Sequence, residues 1–302
     1  MTRVSSKYGL ARPVPFLDVH VERDNLLFIE PSRVRVAARS GDPYAAAAVR
    51  TVTSYFDEVL DTVRNNDRVR GLALLENLHE PNETRLGMTR NGVAGHGVGA
   101  ELARQLWVAM RRNPACRSAI IVRRIEDLAP FVDGVGPDLI SDLMTRIVFG
   151  VLADFTADMI NLYPQLGRGT SLADDLVWDI TARSWVGRRV ELPVAAGQRL
   201  LLVPTNWAWP RQLLTASSFY QVQALGRIQD KLTVVPRHRG ARPIAPRKLD
   251  LRIDHPNIRP TNIEQALDAA QAGISLTDKH AVHVQRRIKH EILTPEQVNA
   301  LI

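Results

Sequence analysis

The order of apolar and polar residues predicts a short β-rich lead followed by a long helical unit. The segments PFLDVHV and LLFIE each have the composition of a short strand, and the polar residues 22–25 between them indicate a turn, so we expect an N-terminal β-hairpin within residues 1–41. Asp42 followed by Pro43 is typical of a helix start, and apolar residues recur at helical spacing up to Val63. Because helical patterns return repeatedly up to residue 163, we predict one helical unit over residues 42–163.

The second half of the chain mixes helical and strand patterns. Residues 171–185 (SLADDLVWDITARSW) predict a helix, RRVELPV and QRLLLVP predict a second small β-hairpin, and a further helix is expected from Pro210 to Leu232, which makes residues 164–233 a mixed α/β segment. Residues 234–302 begin rich in proline and arginine and end in helical patterns. The predicted fold class is α+β and mostly helical: a helical body, two small β-hairpins, and a basic C-terminal arm with a small helical tail.

Composition narrows the class of protein. Hydrophobic residues are 45% and charged residues 24% of the chain, which excludes a wholly disordered protein. Cys116 is the single cysteine, so an internal disulfide and a cysteine-based zinc site are both excluded, and a reducing cytoplasm is expected. No apolar run is long enough to span a bilayer, so we expect no membrane partner.

Basic residues outnumber acidic residues and concentrate near the C-terminus. Lys and Arg total 39 against 32 Asp and Glu, a net charge of +7. Most of the basic residues are arginine, a bias that a GC-rich genome also produces. A basic stretch favours a polyanionic partner such as nucleic acid. The residues predicted to contact it are Arg237, Arg239, Arg242, Arg247 and Lys248.

A short repeat opens two of the predicted helices. The segments Gly97–Leu106 and Gly134–Leu143 lie 37 residues apart and share Gly-Val-Gly, a small residue or proline, an acid and a Leu. Glycines at a helix start leave first-turn amides accessible to an anion, of which phosphate is the natural candidate. The nucleic-acid contacts predicted here are Gly97, Val98, Gly99, Gly134, Val135 and Gly136. The alternative is a turn that only packs two helices together.

The second copy, LAPFVDGVGPDLISDL, resembles the helix-hairpin-helix motif of DNA-repair and recombination proteins. That resemblance implies that the amides of Gly134, Val135 and Gly136 hold one phosphate of the DNA backbone without reading sequence, with Asp138 at the helix start. Two features depart from the family: Ile140 stands where a small residue is usual, and acidic residues stand where Lys or Arg commonly follows.

Four segments together resemble an uncharacterised prokaryotic protein family found in phage-defence or mobile-element neighbourhoods. They are LLFIEPSRVR, LHEPNETRLG, the glycine-rich loop that follows, and FVDGVGPDLISDL. This resemblance implies nucleic-acid chemistry in prokaryotic defence, without naming a catalytic residue.

Several acidic residues are candidates for metal-dependent nuclease chemistry, which needs carboxylates converging on Mg²⁺. Glu80-Pro-Asn-Glu83 is the most suggestive group, and we predict Glu80 and Glu83 as catalytic residues and metal ligands, with Glu30 and Asp18 as further catalytic residues. Alternatively, Glu80 or Glu83 forms an ion pair with Arg85 or Arg90. The Asp/Glu-x-Lys triplet of the commonest restriction-type nucleases does not follow a strand acid here.

Histidines and tryptophans have both functional and structural interpretations. His280, His283 and His290 fall on one predicted helix, which we interpret as a solvated basic helix. Trp207 and Trp209 either stack on bases or pack in the core. The leading hypothesis is a cytoplasmic protein of prokaryotic defence that binds DNA or other nucleic acid. If the protein is an enzyme, this hypothesis makes it a magnesium-dependent nuclease. The alternative is a non-catalytic subunit that binds a protein partner.

Overall fold

A computed structural model describes residues 2–79, 82–87, 96–236, 242–290 and 294–301. The predicted fold class is confirmed: the chain is mostly helical, with two small antiparallel sheets ordered β1-β5 and β2-β3-β4. Within the described part of the chain, no helix combines the length and the apolarity needed to cross a membrane.

The N-terminal β-hairpin is not formed. Residues Val4–Tyr8 form helix α1, and strand β1 (Phe28–Ile29) pairs with β5 (Ala208–Trp209) and not with the segment before it. The segment PFLDVHV is extended, but its backbone partners are also remote, because the Leu17 N–H donates to the Val203 carbonyl at 2.9 Å. Both segments are deeply buried, so each pairs with the element that the core brings beside it.

The helical body begins as predicted. The Asp42 carboxylate accepts a hydrogen bond from the Ala45 amide at 3.0 Å, Pro43 occupies the first helical position, and α3 continues to Asn65, where Asn66 ends it in the left-handed conformation (φ 59°). The apolar face of α3 forms the centre of the main core. The helices of this part are α2 (Pro31–Arg39), α3 (Pro43–Asn65), α4 (Arg68–Leu75), α5 (His96–Arg112), α6 (Pro114–Arg117), α7 (Pro137–Ile147) and α8 (Phe149–Leu162).

The helix predicted over residues 171–185 is wrong. Strand β2 (Thr170–Asp179) forms a long antiparallel pair with β3 (Ser184–Ala195). The register places Trp178 opposite Trp185, with ring centroids 5.8 Å apart, and both rings pack on Tyr55. Leu172 and Leu176 have helical spacing, but both side chains are exposed. The cross-strand pair of Trp178 and Trp185 packs against the core instead, and this packing stabilises the strand over the helix.

The second hairpin is confirmed as a tight turn from β3 into β4 (Gln198–Arg199), with Ala195 paired to Gln198. Ala196 and Gly197 connect them with φ values of 51° and 76°, the left-handed pair that a two-residue hairpin requires.

The C-terminal third packs on the body. A continuous helix runs through α9 (Ala216–Phe219), a π-helical turn (Tyr220–Ala224) and α10 (Leu225–Leu232); it starts after the Thr215 N-cap and not at Pro210. Part of the expected arm folds instead as α11 (Lys248–Asp254), because Leu251 buries itself against that helix. The remaining helices are α12 (Ile258–Gln271), α13 (Leu276–His290) and α14 (Pro295–Asn299).

Candidate phosphate-binding cleft

The turn Gly134-Val135-Gly136 lies at the surface and opens α7. Gly134 is exposed and has a φ of 77°, whereas the Val135 side chain is only 2% exposed and anchors the turn in the core. Gly136 is the N-cap residue of α7 and Pro137 is its first residue. A helix-hairpin-helix motif has a helix before its glycine turn, whereas the segment before this turn forms only a 3₁₀ turn (Ile125–Leu128).

A cleft of about 250 Å³ adjoins this turn. The first residues of three helices line it: Gly136 and Pro137 for α7, Thr215–Ser217 for α9, and Ile258 and Arg259 for α12. The side chains of Ala129, Val135 and Leu214 form its apolar wall. Helix starts carry amides without intrahelical acceptors and a partial positive charge, so their convergence favours an anion.

The hydrogen bonds around the cleft leave several amide donors available. In the part of the chain that the structure describes, no acceptor takes the N–H of Gly136, Ala216, Ser217 or Ile258. The Arg259 Nη1 atom lies 3.1 Å from Asp133 Oδ1, but the Asp133 side chain is 93% exposed. Because such an exposed ion pair is weak, a phosphate could replace Asp133 as the partner of Arg259 at small energetic cost.

The first Gly-Val-Gly copy has different surroundings. Gly97, Val98 and Gly99 lie in the first turn of α5, and Gly99 does not line the cleft. A Cβ atom on Gly99 would lie 3.5 Å from the carbonyl oxygen of Glu76, which follows α4. Gly99 therefore lies at ordinary van der Waals distance from the end of α4, a contact that fits the packing alternative for this copy.

The predicted basic contacts are partly engaged within the protein. Arg237 and Arg239 lie outside the described residues. Arg247 pairs with Asp250 at 3.0 Å, and the Lys248 Nζ atom donates to the Gln221 carbonyl at 2.8 Å. Arg242 is exposed and makes no hydrogen bond or ion pair with the described residues.

The structure gives Asp18 and Glu30 capping roles. Asp18 is 1% exposed and accepts from the Ser5 amide at 2.8 Å and the Ser5 hydroxyl at 2.7 Å. Glu30, also 1% exposed, accepts from the amides of Ser32 and Leu213, each at 3.1 Å, and burial raises the pKa of its carboxyl. These hydrogen bonds are structural, and a catalytic role for Asp18 or Glu30 stays a prediction.

The described part of the chain does not test the magnesium site predicted at Glu80 and Glu83. Glu80 lies outside the described residues. Glu83 is half-buried in a 3₁₀ turn (Asn82–Thr84), and its predicted ion pair with Arg85 is not formed, because Arg85 donates to the Gln198 side chain. Among the described residues, no three His, Cys, Asp or Glu side chains lie close enough together to hold a metal ion. The magnesium site at Glu80 and Glu83 stays a prediction.

Three of the remaining candidates, Trp207, Trp209 and His280, pack in the interior. Trp207 is fully buried, and Trp209 is 8% exposed beneath the Arg33 guanidinium, 3.6 Å from the ring centroid, so both fit core packing. His280 is fully buried, which corrects the expectation of a solvated helix face, whereas His283 on the same helix is exposed.

Sequence reasoning missed Thr215, Ser217 and Arg259 as cleft residues. Thr215 could have been found as the N-cap of a Thr-x-x-Ser capping box. Nothing in the sequence relates that box, or Arg259, to a glycine turn about a hundred residues away.

The chain matches, over residues 11–214, the family described as a domain of unknown function (DUF8370). Comparison with curated proteins and with solved structures gives no match. The matched region contains the Gly134–Gly136 turn and Glu83, and it ends just before the helix whose start forms another wall of the cleft. Because the match spans well over half of the sequence, the protein belongs to the DUF8370 family.

Proposed function

We propose that the protein binds the phosphate backbone of nucleic acid at the cleft formed by Gly134–Gly136, Thr215–Ser217 and Arg259. The observation that carries this proposal is the convergence of three helix starts and one arginine on a single surface cleft. Backbone amides and a guanidinium are the donors that phosphate prefers in proteins. Such contacts fix position on a strand without reading its bases.

The charge of the chain supports a polymeric ligand. The protein carries a net charge of +7, and Arg242 is exposed with no partner among the described residues. Four segments of the chain also resemble a prokaryotic protein family found in phage-defence neighbourhoods. The proposed role is therefore nucleic-acid binding in the cytoplasm, as part of prokaryotic defence.

The test is binding to a mixed-sequence DNA duplex over a range of salt concentrations. We expect affinity to fall steeply as salt rises, because each phosphate contact releases counterions. Arg259→Gln should weaken binding and reduce the slope of log K against log salt by about 1. Arg168→Gln, which changes an exposed arginine outside the cleft, is the matched control and should have no such effect. Binding that is absent, or that Arg259→Gln leaves unchanged, would contradict the proposal.

The nuclease hypothesis needs a separate test. Plasmid DNA is incubated with the protein and Mg²⁺ or Mn²⁺, with Glu83→Ala in parallel. Metal-dependent cleavage that Glu83→Ala abolishes would support Glu83 as a metal ligand, whereas cleavage that survives the substitution would remove it from the site.

One observation favours the alternative of a protein-binding subunit. Leu249 and Ile253 on α11 are 61% and 73% exposed, and the bridged residues Val234 and Ile244 are 62% and 66% exposed. Exposed aliphatic side chains in one region are typical of protein interfaces. This second function would gain support if duplex binding proved absent or insensitive to salt.

A further inference from the structure

The buried side chain of Asn262 connects the segments that line the phosphate cleft. Asn262 lies on α12, three residues after Arg259, and is 0% exposed. Its Nδ2 atom donates to the Pro130 carbonyl at 3.0 Å and to the Ala216 carbonyl at 3.1 Å. Because a primary amide has two N–H donors, this one side chain serves both carbonyls.

The two acceptors belong to different walls of the cleft. Ala216 is the first residue of α9 and itself lines the cleft. Pro130 follows the cleft residue Ala129 and lies shortly before the glycine turn. Arg259 supplies the third wall and, at a spacing of three residues, shares a side of α12 with Asn262. Asn262 therefore connects all three walls.

Other contacts between these segments are apolar or exposed to solvent. Phe131, in the segment before the glycine turn, and Phe219, at the end of α9, are buried and pack edge to face with ring centroids 5.1 Å apart. The ion pair of Arg259 with Asp133 also joins α12 to the turn, but water screens it because the Asp133 side chain is 93% exposed. The buried hydrogen bonds of Asn262 are directional and unscreened, so they fix the position of α12 more closely.

Asn262 is not explained by packing alone. Its Oδ1 atom is buried and has no hydrogen-bond partner among the described residues. An unsatisfied buried acceptor destabilises a protein, and an apolar side chain of similar size would not introduce one. What an amide adds at this position is its pair of donors, which hold the two carbonyls at a fixed separation.

The family match divides the cleft into two parts. It covers residues 11–214, so it includes Pro130 but neither Ala216 nor Asn262. Asn262 therefore joins the family domain to the C-terminal part of the chain beside the cleft, and the cleft needs both parts.

We propose that Asn262 is a positioning residue of the phosphate cleft. It holds α9, α12 and the segment before the glycine turn together, so that the free amides of Gly136 and Ala216 and the Arg259 guanidinium contact one phosphate at the same time. Binding groups need such placement to within about 0.5 Å. This inference rests on the proposed function and adds that phosphate affinity depends on how the C-terminal helices are seated.

The test compares binding of the mixed-sequence duplex by Asn262→Leu and Gln265→Leu. Both substitutions replace a buried amide on α12 with an apolar side chain, but within the described part of the chain no hydrogen bond joins Gln265 to a residue that lines the cleft. We expect Asn262→Leu to weaken binding about 10-fold and to reduce the slope of log K against log salt by about 1, because the Arg259 contact is lost. Gln265→Leu should leave both values unchanged.

Folding is controlled by recording thermal unfolding of each variant and measuring binding below its transition. If Asn262→Leu fails to fold, Asn262→Ser decides the question. A serine hydroxyl has one donor and serves one carbonyl at most, so we expect Asn262→Ser to weaken binding as well.

The same measurements in an Arg259→Gln background test whether Asn262 acts by placing Arg259. We expect Asn262→Leu to cause a smaller loss of affinity there than in the wild-type background, because the contact that it disturbs is already absent. An equal loss in the two backgrounds would contradict the positioning role.

The outcomes separate this inference from the proposed function. Binding that Arg259→Gln weakens but Asn262→Leu leaves unchanged, or that Gln265→Leu weakens as much as Asn262→Leu does, would overturn the inference and leave the proposed function standing. A wild-type protein that does not bind the duplex would overturn both.

Discussion

The Ser218 hydroxyl lies 3.0 Å from Nε2 of His280, and this contact joins the start of the helix at Ala216 to helix α13. The His280 ring is fully buried, packs edge-on against Phe219 and stacks on the exposed His283. Burial lowers the pKa of His280 to about 4, and the charges of His283 and Arg124 add to the effect. The histidine is therefore neutral in the folded protein at pH 7.

We expect the free energy of unfolding to decrease as the pH falls from 6.5 to 4. Unfolded His280 takes up a proton near pH 6.5, whereas the folded form stays neutral until about pH 4, so acid favours the unfolded state. The loss should approach about 3 kcal/mol at pH 4. Urea unfolding at a series of pH values measures it.

The matched pair for this prediction is His280→Gln and His283→Gln. His280→Gln should flatten the pH dependence between pH 4 and 6.5, and His283→Gln, which changes the exposed neighbour, should retain most of it. An equal slope in the wild-type protein and in His280→Gln would assign the acid sensitivity to other groups.

Gly136→Ala should weaken nucleic-acid binding with little effect on stability. Gly136 has a φ of −113°, which any residue adopts, and a Cβ atom there would meet nothing within 4 Å, so the stability loss should stay below about 1 kcal/mol. The added methyl group would stand in the cleft and block a phosphate from the free amides. Duplex binding and thermal unfolding are measured on the same variant. Unchanged duplex binding would show that the DNA phosphate backbone does not approach this turn.

Glu30→Ala should destabilise the protein by about 2–4 kcal/mol. The substitution removes the acceptor for two buried amides, those of Ser32 at the start of α2 and of Leu213. Glu30→Gln retains one carbonyl oxygen and should lose less, and its folded form should bind duplex as the wild type does. Denaturant unfolding provides the values. If the wild-type protein cleaves plasmid DNA with Mg²⁺ or Mn²⁺, a Glu30→Gln protein of wild-type stability that no longer cleaves it would instead indicate a catalytic carboxylate.

Gly71→Ala and Gly226→Ala should have opposite effects. A Cβ atom on Gly71 in α4 would overlap the Trp107 ring of α5 and lie 2.9 Å from Thr62 Oγ1, so we expect a loss of about 3 kcal/mol. A Cβ atom on Gly226 in α10 would meet nothing within 4 Å, so the better helix propensity of alanine should stabilise the protein by up to about 1 kcal/mol. Equilibrium unfolding of both variants measures the difference.

Local signals in the sequence were sufficient for elements that local interactions specify. Asp42 and Pro43 mark the start of α3, and Ala196 and Gly197 mark the tight turn between β3 and β4, because a cap and a two-residue turn depend only on neighbouring residues. The local pattern predicts a helix for β2 because its leucines have helical spacing. Its actual conformation depends on pairing with β3 and on packing of Trp178 against Tyr55, which the local pattern does not contain.

The candidate sites follow the same division. The sequence by itself determined the net positive charge, the mostly helical class and the Gly-Val-Gly turn at the start of α7, all of which depend on residue type and short spacing. Only the tertiary structure decided that this turn meets Thr215 and Arg259 in one cleft. These groups are far apart along the chain, and burial of the shared core is what brings them together.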